Sequence, residues 1–463
     1  MTSFIAKPRE LFDRFDPKYV AFKRRAANFR YPAVRMGSLL SEPPEYGAGE
    51  AGIERVDEAT PRYIRITDID ENGELLPGLG MTAANVEPQY FLRDGDLLFA
   101  RSGNTVGKSY LHESGQVPYP CFYAGYMIRF RFGEKVLPKY VFAFAQTPYY
   151  HEWVSAIQRS AGQPNINAQE YRSLDIPLPP LPEQRKIVAE LDAAYATKRA
   201  ADEKATKLLA SIDDMVLNEL GIARLPKPDT SLSSRIFTVP AREVLNDRFD
   251  AHYNQNFFRD LADLIREDKR CCRLGSVGTF VRGVTYKSED EAECGHAILR
   301  ANNVSLEEFD IDLSDLVHVS SDLAFSPAQQ IKDGDILICA ASGSKAHAGK
   351  VAYVKNAPDD TYIGGFMMVL RTDAGVNPEY VAAYMQSSIF RGLIFRHLGG
   401  TNINNVSLEL LNKLPLILPD ATMQNRIASK ASSIRAEARK LKADATAALD
   451  AAKRKVELKI IEK

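Results

Sequence analysis

The feature that most constrains this chain is that it contains itself twice. Asp94-Gly95-Asp96-Leu97-Leu98 returns as Asp333-Gly334-Asp335-Ile336-Leu337. Asp13-Arg14-Phe15-Asp16 with Tyr19 returns as Asp247-Arg248-Phe249-Asp250 with Tyr253, and Gly125-Tyr126-Met127 as Gly365-Phe366-Met367. Pro138, Tyr140, Val141 and Gln146 match Pro378, Tyr380, Val381 and Gln386, and Gln184 with Ile187 matches Gln424 with Ile427. A period of about 240 residues is far too long for a solenoid, whose repeats bury one supersecondary unit at a time. It describes a tandem duplication and a pseudo-twofold molecule.

Each copy closes on a long helical pattern. From Glu183 to about Leu220, positions stepping by four and three hold Ile187, Leu191, Ala194, Lys198, Ala201, Ala205, Leu208, Ile212 and Met215, a heptad seam with one polar break. From about Ala421 to the end, Ile427, Ala431, Ile434, Ala438, Leu441, Ala445, Ala448 and Ala452 repeat the pattern, which then drifts toward Val456 and Ile460 as a stutter makes it do. Pro182 and Glu183 suit a first helical turn, Asp420 an N-cap and Gly221 a C-terminal stop. A first helix of this length spans roughly 57 Å at about 1.5 Å per residue. So long a helix needs a packing partner, and the many seam alanines allow close approach. Lys198, Arg199, Asp202, Glu203, Lys204, Lys207, Asp213 and Asp214 leave only a narrow apolar stripe, which favours a paired rod over two helices lying on a globular core.

The 463 residues suffice for two or more domains, with 45% hydrophobic and 26% charged residues as in ordinary globular chains. The formal net charge of −1 excludes a globally basic nucleic-acid binder, so any DNA-binding surface must be local or shared with a partner. Five cysteines, without a Cys-x-x-Cys pair or a completing histidine cluster, read as reduced intracellular thiols. No apolar run reaches membrane-spanning length, and the first residues lack the apolar core of a signal peptide. A bacterial or archaeal cytoplasmic location is expected.

Within each copy, short strands and turn signals alternate. Tyr63–Ile69, Asp96–Ala100 and Tyr126–Phe132 read as strands; Asn72-Gly73 and Asp94-Gly95 as tight turns; Pro138 and Pro148 each open a helix. Arg101-Ser102-Gly103-Asn104-Thr105-Val106-Gly107-Lys108 is a loop that tempts a phosphate-loop reading. Its glycine spacing is one residue short, however, and no helix opens after it. Its copy keeps Ser342-Gly343 and Gly349-Lys350 around a different interior, Ser344-Lys345-Ala346-His347-Ala348. A constant frame with a variable tip is what a recognition loop needs, and Arg101, Ser102, Asn104, Lys108, Ser342, Ser344, Lys345, His347 and Lys350 are therefore candidate nucleic-acid contacts.

A second loop pair, Gly162-Gln163-Pro164-Asn165-Ile166-Asn167 and Gly399-Gly400-Thr401-Asn402-Ile403-Asn404, carries amides beside glycine. Amides pair with adenine edges and glycine lets backbone approach phosphate; plain turn chemistry accounts for the same residues. Both readings stay open for Gln163, Asn165, Asn167, Thr401, Asn402 and Asn404. Arg159 and Arg396 precede these loops and suit phosphate; Arg65 and Arg300 face a groove or are surface charges. Trp153, Tyr149 and Tyr150 read as core. No nucleophile–base constellation emerges, no metal site is evident, and no Asn/Asp-Pro-Pro-aromatic run of the aminomethyltransferase type is present, which agrees with a binding role.

The run Ile176-Pro177-Leu178-Pro179-Pro180-Leu181-Pro182-Glu183-Gln184-Arg185-Lys186-Ile187-Val188-Ala189-Glu190-Leu191-Asp192 resembles the central spacer entry of the specificity subunits of type I restriction–modification systems. The likeness covers nearly the whole chain, though Leu418-Pro419-Asp420-Ala421-Thr422-Met423-Gln424 departs from the motif at the second helix. The resemblance implies an α+β fold: two tandem pseudo-symmetric target-recognition domains with mixed, curved β-sheets, separated by two long antiparallel coiled-coil helices. It divides the chain into a first domain (1–181), a central spacer helix (182–220), a linker (221–240), a second domain (241–419) and a terminal spacer helix (420–463).

It further implies a non-catalytic, cofactor-free DNA-recognition subunit. Each domain would read one half of a bipartite double-stranded DNA site. The helices would set the gap and dock two methyltransferase subunits through Gln184, Ile187, Leu191, Gln424 and Ile427. Those partners would bring S-adenosylmethionine and flip the target adenine, and separate motor-nuclease subunits would use ATP. Divergent loop tips predict unlike half-sites. The alternatives are a specificity module of a related methylase–nuclease or phage-defence system, a protein scaffold without DNA readout, and an enzyme with an unrecognised site.

Overall fold

The computed structural model describes residues 17–24, 28–103, 105–158, 164–226, 229, 231, 233, 236–245, 248–305, 309, 311–343, 345–398 and 404–462. The chain divides into two compact units, residues 1–201 with 443–463, and residues 202–442. Each unit thus takes one stretch of both long helices, Leu181–Leu220 and Ala421–Ile460.

In the first unit a mixed four-stranded sheet orders Gly52–Glu54, Met81–Ala83, Arg62–Ile64 and Cys121–Tyr123. The last two run parallel, with Tyr63 opposite Phe122. An antiparallel sheet joins Glu45–Tyr46, Met127–Phe130, Leu97–Ala100 and Ser109–Leu111. Leu97–Ala100 is buried along its whole length, as the unbroken apolar run requires of a strand covered on both faces. Pro138–Phe144 and Pro148–Ile157 are the two proline-opened helices; Thr147 caps the second by accepting Tyr150 N–H. Trp153 is 4% exposed and packs with Tyr150 and Tyr171 in the core.

The second unit repeats this arrangement. His296–Leu299 runs parallel to Thr361–Ile363, and Ile336–Cys339 lies between Met367–Thr372 and Val351–Tyr353. Buried polar pairs recur at the same offset. Arg131 Nε donates to Asp96 Oδ1 at 2.6 Å, and Arg371 Nε to Asp335 Oδ1 at 2.8 Å. Tyr140 Oη donates to the carbonyl of Pro177, and Tyr380 Oη to that of Ile417. Duplication is therefore written in interior hydrogen bonds as well as in sequence.

The long helices end as their signals require. Asp420 Oδ1 accepts Met423 N–H at 2.9 Å, and Gly221 takes a φ of 72° that a side chain would strain. In the first unit Glu190 pairs with Lys455 and Lys459; in the second Glu219 pairs with Arg426 and Lys430. The start of one helix meets the end of the other in each case, so the helices are antiparallel. The buried seam departs from a strict heptad. Tyr195 and Val216 are buried beside the expected Ala194 and Met215, and Leu449 is buried while Ala448 is exposed. That one-residue drift is the ordinary mismatch between 3.6 and 3.5 residues per turn.

Candidate nucleic-acid interface

The structure brings the two candidate loops of each copy together. In the first unit Ser102 bridges Asn165, Gly103 N–H donates to the carbonyl of Pro164 at 3.1 Å, and Ile166 N–H to that of Arg101 at 2.8 Å. In the second, Ala341–Ser342 pairs antiparallel with Asn404–Asn405, and Val406 N–H donates to the carbonyl of Ala340 at 2.7 Å. Segments some 60 residues apart in sequence are thus zipped by backbone, which leaves their side chains to differ between copies.

A third segment joins them, and sequence reasoning passed over it. Arg101 N–H donates to the carbonyl of Tyr126 at 2.9 Å, and Ala340 N–H to that of Phe366 at 2.8 Å. Tyr126 is 63% exposed and Phe366 72% exposed, although each lies beside a buried strand. A large ring is thus turned to solvent rather than packed in the core at the same place in both copies. The repeat offset pairs Tyr126 with Phe366 and was the signal available for finding them.

Several expected contacts turn inward instead. Lys108 Nζ donates to the carbonyl of Ile69 at 2.8 Å, and Lys350 Nζ to that of Val304 at 2.6 Å. Lys350 is 4% exposed, and its burial pulls its pKa below the ordinary lysine value. The Gly-Lys ends of the loops are therefore clamps that fix loop to fold, and no helix follows either: Ser109–Leu111 and Val351–Tyr353 are strands. Asn167 is a helix cap, its Oδ1 accepting Glu170 N–H while Glu170 accepts Asn167 N–H; turn chemistry explains it. Arg396 donates to the carbonyl of Tyr253 at 3.0 Å and lies over that ring, with 8% exposure.

Ser102 is 7% exposed. Gln184, Ile187, Leu191, Gln424 and Ile427 are all buried within their own units, so their side chains are spent on the fold, and a docking surface must use other positions. The expected strand over Tyr63–Ile69 ends at Ile64, where Ile66–Asp68 turns into a short 3-10 helix. Asn104, Arg159, Gln163, Ser344, Thr401, Asn402, residues 13–16 and Asp247 lie outside the described residues, as does the side chain of Asn404.

What remains at the surface is unequal between copies. In the first unit Arg101 lies over the Tyr46 ring at 5.0 Å, and its Nε has no hydrogen-bond partner among the described residues. Arg65 is bound bidentately by Asp68, Nε to Oδ2 at 3.0 Å and Nη2 to Oδ1 at 2.8 Å, which raises the arginine pKa further. In the second unit the position of Arg101 is Ala340, which makes the same two backbone bonds, and the position of Asp68 is Asn303. Asn303 accepts Arg300 N–H through Oδ1 and turns its amide to the carbonyls of Asp312 and Asp315. Arg300 loses its acid and keeps a buried Nε with no hydrogen-bond partner among the described residues.

The loop tip of the second unit presents Lys345 and His347 to solvent. Arg391 holds the tip by donating to the carbonyls of Ala348 and Ala346. Burial, then Lys350 and Arg391, lowers the His347 pKa, so this ring is neutral at pH 7. The exposed groups are donors and aromatic faces, the chemistry that base edges and phosphates accept.

Comparison with known proteins gives this surface a context. The family model described as the type I restriction modification DNA specificity domain matches residues 82–208 and 267–448, more than half of the chain. The type I restriction enzyme StySPI specificity subunit of Salmonella potsdam is 33% identical over 174 residues, and the EcoKI specificity subunit of Escherichia coli K12 is 32% identical over 174 residues. Each match spans 37% of this chain and 37% of the relative. Among solved structures, the HsdS subunit from Thermoanaerobacter tengcongensis aligns over 92% of this chain and 96% of its own, at 17% identity and a TM-score of 0.32. The type I S subunit from M. genitalium aligns over 95% and 97%, at 14% identity and a TM-score of 0.40.

Proposed function

Because the chain belongs to the type I restriction-modification DNA specificity family, we propose that it is the non-catalytic subunit that reads DNA for a methyltransferase and restriction assembly. Each unit reads one half of a bipartite double-stranded site, and the paired helices set the gap between halves. Two copies of a methyltransferase subunit dock on the chain, one for each repeat. They supply S-adenosylmethionine and the flipped-base chemistry, and a motor-nuclease subunit completes the assembly.

The observation that carries this reading is the unequal surface on an equal frame. Both units zip the same three segments with the same backbone bonds, yet one presents Arg101 with Tyr126 and the other Arg300 with Phe366. Reading heads built alike and furnished differently recognise different sequences, so the target is asymmetric. The test is expression of the chain with its methyltransferase subunit, followed by genome-wide mapping of methylated adenines. Two unlike half-sites separated by a fixed unread gap are expected; a palindromic or continuous motif overturns the reading.

A further inference from the structure

We infer that Arg300 reads a guanine in the half-site of the second unit, through a groove that its neighbours keep open for a base edge. The inference rests on the function proposed above and adds to it a residue, a base and a half-site.

The groove has a volume of about 650 Å³ and is walled by Tyr286, Glu291, Arg300, Ala341, Gly364 and Phe366, among others. Three replacements relative to the first unit open it. Asn303 stands where Asp68 neutralises Arg65, so the guanidinium has no bidentate acid. Ala340 stands where Arg101 crosses the Tyr46 ring, which removes a long side chain from beside the wall. Gly364 stands where the first unit has Ala124, and a Cβ there would come to 3.4 Å from Ile298 Cγ2 and 3.7 Å from Arg300 Cγ.

A guanidinium carries only donors, and a buried Nε without an acceptor costs free energy until one arrives. The base edge that offers two adjacent acceptors is guanine, through N7 and O6 in the major groove, and the planar fork of arginine matches that pair. Phosphate also accepts, but Glu291 on the groove wall repels it, whereas an uncharged base edge is tolerated. The exposed ring of Phe366 at the lip gives the flat face of a base or sugar an apolar surface. Arg65, held by both oxygens of Asp68, is not free to do the same in the first unit.

The test uses the full chain expressed with its methyltransferase subunit, with methylated sites mapped for wild type, Arg300→Gln and Arg300→Lys, and with each variant's folding checked by chemical denaturation. In both variants one guanine position, in one half-site only, should lose a preference of about ten- to hundredfold over other bases. Lysine fails there because it keeps the charge and loses the fork. Arg300→Lys folds with its charge in place should Arg300→Gln not fold. Uniformly weaker methylation with an unchanged motif identifies a phosphate contact and overturns the inference, as does full guanine preference in Arg300→Lys. If wild type itself yields no bipartite motif, the functional reading fails and this inference with it; a bipartite motif that neither variant alters sinks the inference alone.

Discussion

Gln184 Oε1 accepts the backbone N–H of Leu137 at 2.8 Å, tying the first turn of the central helix to the start of the helix that opens at Pro138. Its amide nitrogen donates to the carbonyl of Pro179 at 2.9 Å. Gln424 makes the same pair of bonds, to Asn377 N–H and the carbonyl of Pro419. The glutamine that marks both helix entries is thus a rivet between rod and reading head, in a site with 0% exposure for Gln184 and 4% for Gln424.

Replacing either glutamine by alanine should therefore lower stability by about 1–3 kcal/mol, because a buried backbone N–H loses its acceptor. Chemical denaturation of the full chain checks this. Glu183→Ala, one residue away on the solvent side, should change the midpoint far less.

The two clamp lysines give an opposite pair of outcomes for stability and binding. Lys108→Ala and Lys350→Ala remove donors that fasten the candidate loops to the carbonyls of Ile69 and Val304. Both should lower the denaturation midpoint. The slope of DNA affinity against salt should stay as in wild type, since a phosphate-contacting lysine would reduce it by about one. Titrating affinity across salt concentrations for each variant decides between a clamp and a contact.

The helix pairing should weaken in acid. Hydrogen bonds from Lys459 and Lys430 hold the carboxyls of Glu190 and Glu219 below their ordinary value of 4.5. A carboxylate whose folded pKa is depressed contributes stability that is complete above pH 4.5 and lost as the pH falls through the folded value. These are solvent-facing pairs, so each is worth at most about 1 kcal/mol and is screened by salt. Denaturation midpoints measured from pH 6 downward should fall less steeply below pH 4.5 for the double variant Glu190→Gln, Glu219→Gln than for wild type, and the difference should shrink in high salt.

How much of this was legible in the sequence depends on how local each interaction is. Asp420 and Gly221 announced the helix ends because capping involves neighbours in the chain. Trp153 announced its burial by its company of aromatic residues. The duplication was legible because motifs such as Asp94-Gly95-Asp96 and Gln184 with Ile187 had twins in the same order. The fates of Lys108 and Lys350 were not, since their acceptors lie 39 and 46 residues upstream and only the folded sheet brings them near.

Arg65 misled because its strand ends at Ile64 rather than running on to Ile69, and the 3-10 turn delivers Asp68 to it. The repeat paired Phe366 with Tyr126, but their exposure was not legible, because aromatic residues beside strands are usually buried. Tyr195 and Leu449 displaced the expected seam because straight helices drift against a heptad.

The central claim is that paired helices space two unlike reading heads, and removing one heptad from the middle of each long helix tests it most directly. Seven residues shorten a helix by roughly 10.5 Å, equivalent to about three base-pair steps of 3.4 Å. Methylated sites mapped for the shortened chain, expressed with its methyltransferase subunit, should show both half-sites unchanged and the gap between them altered by about three base pairs. An unaltered gap, or half-sites that change with the helices, would contradict the account.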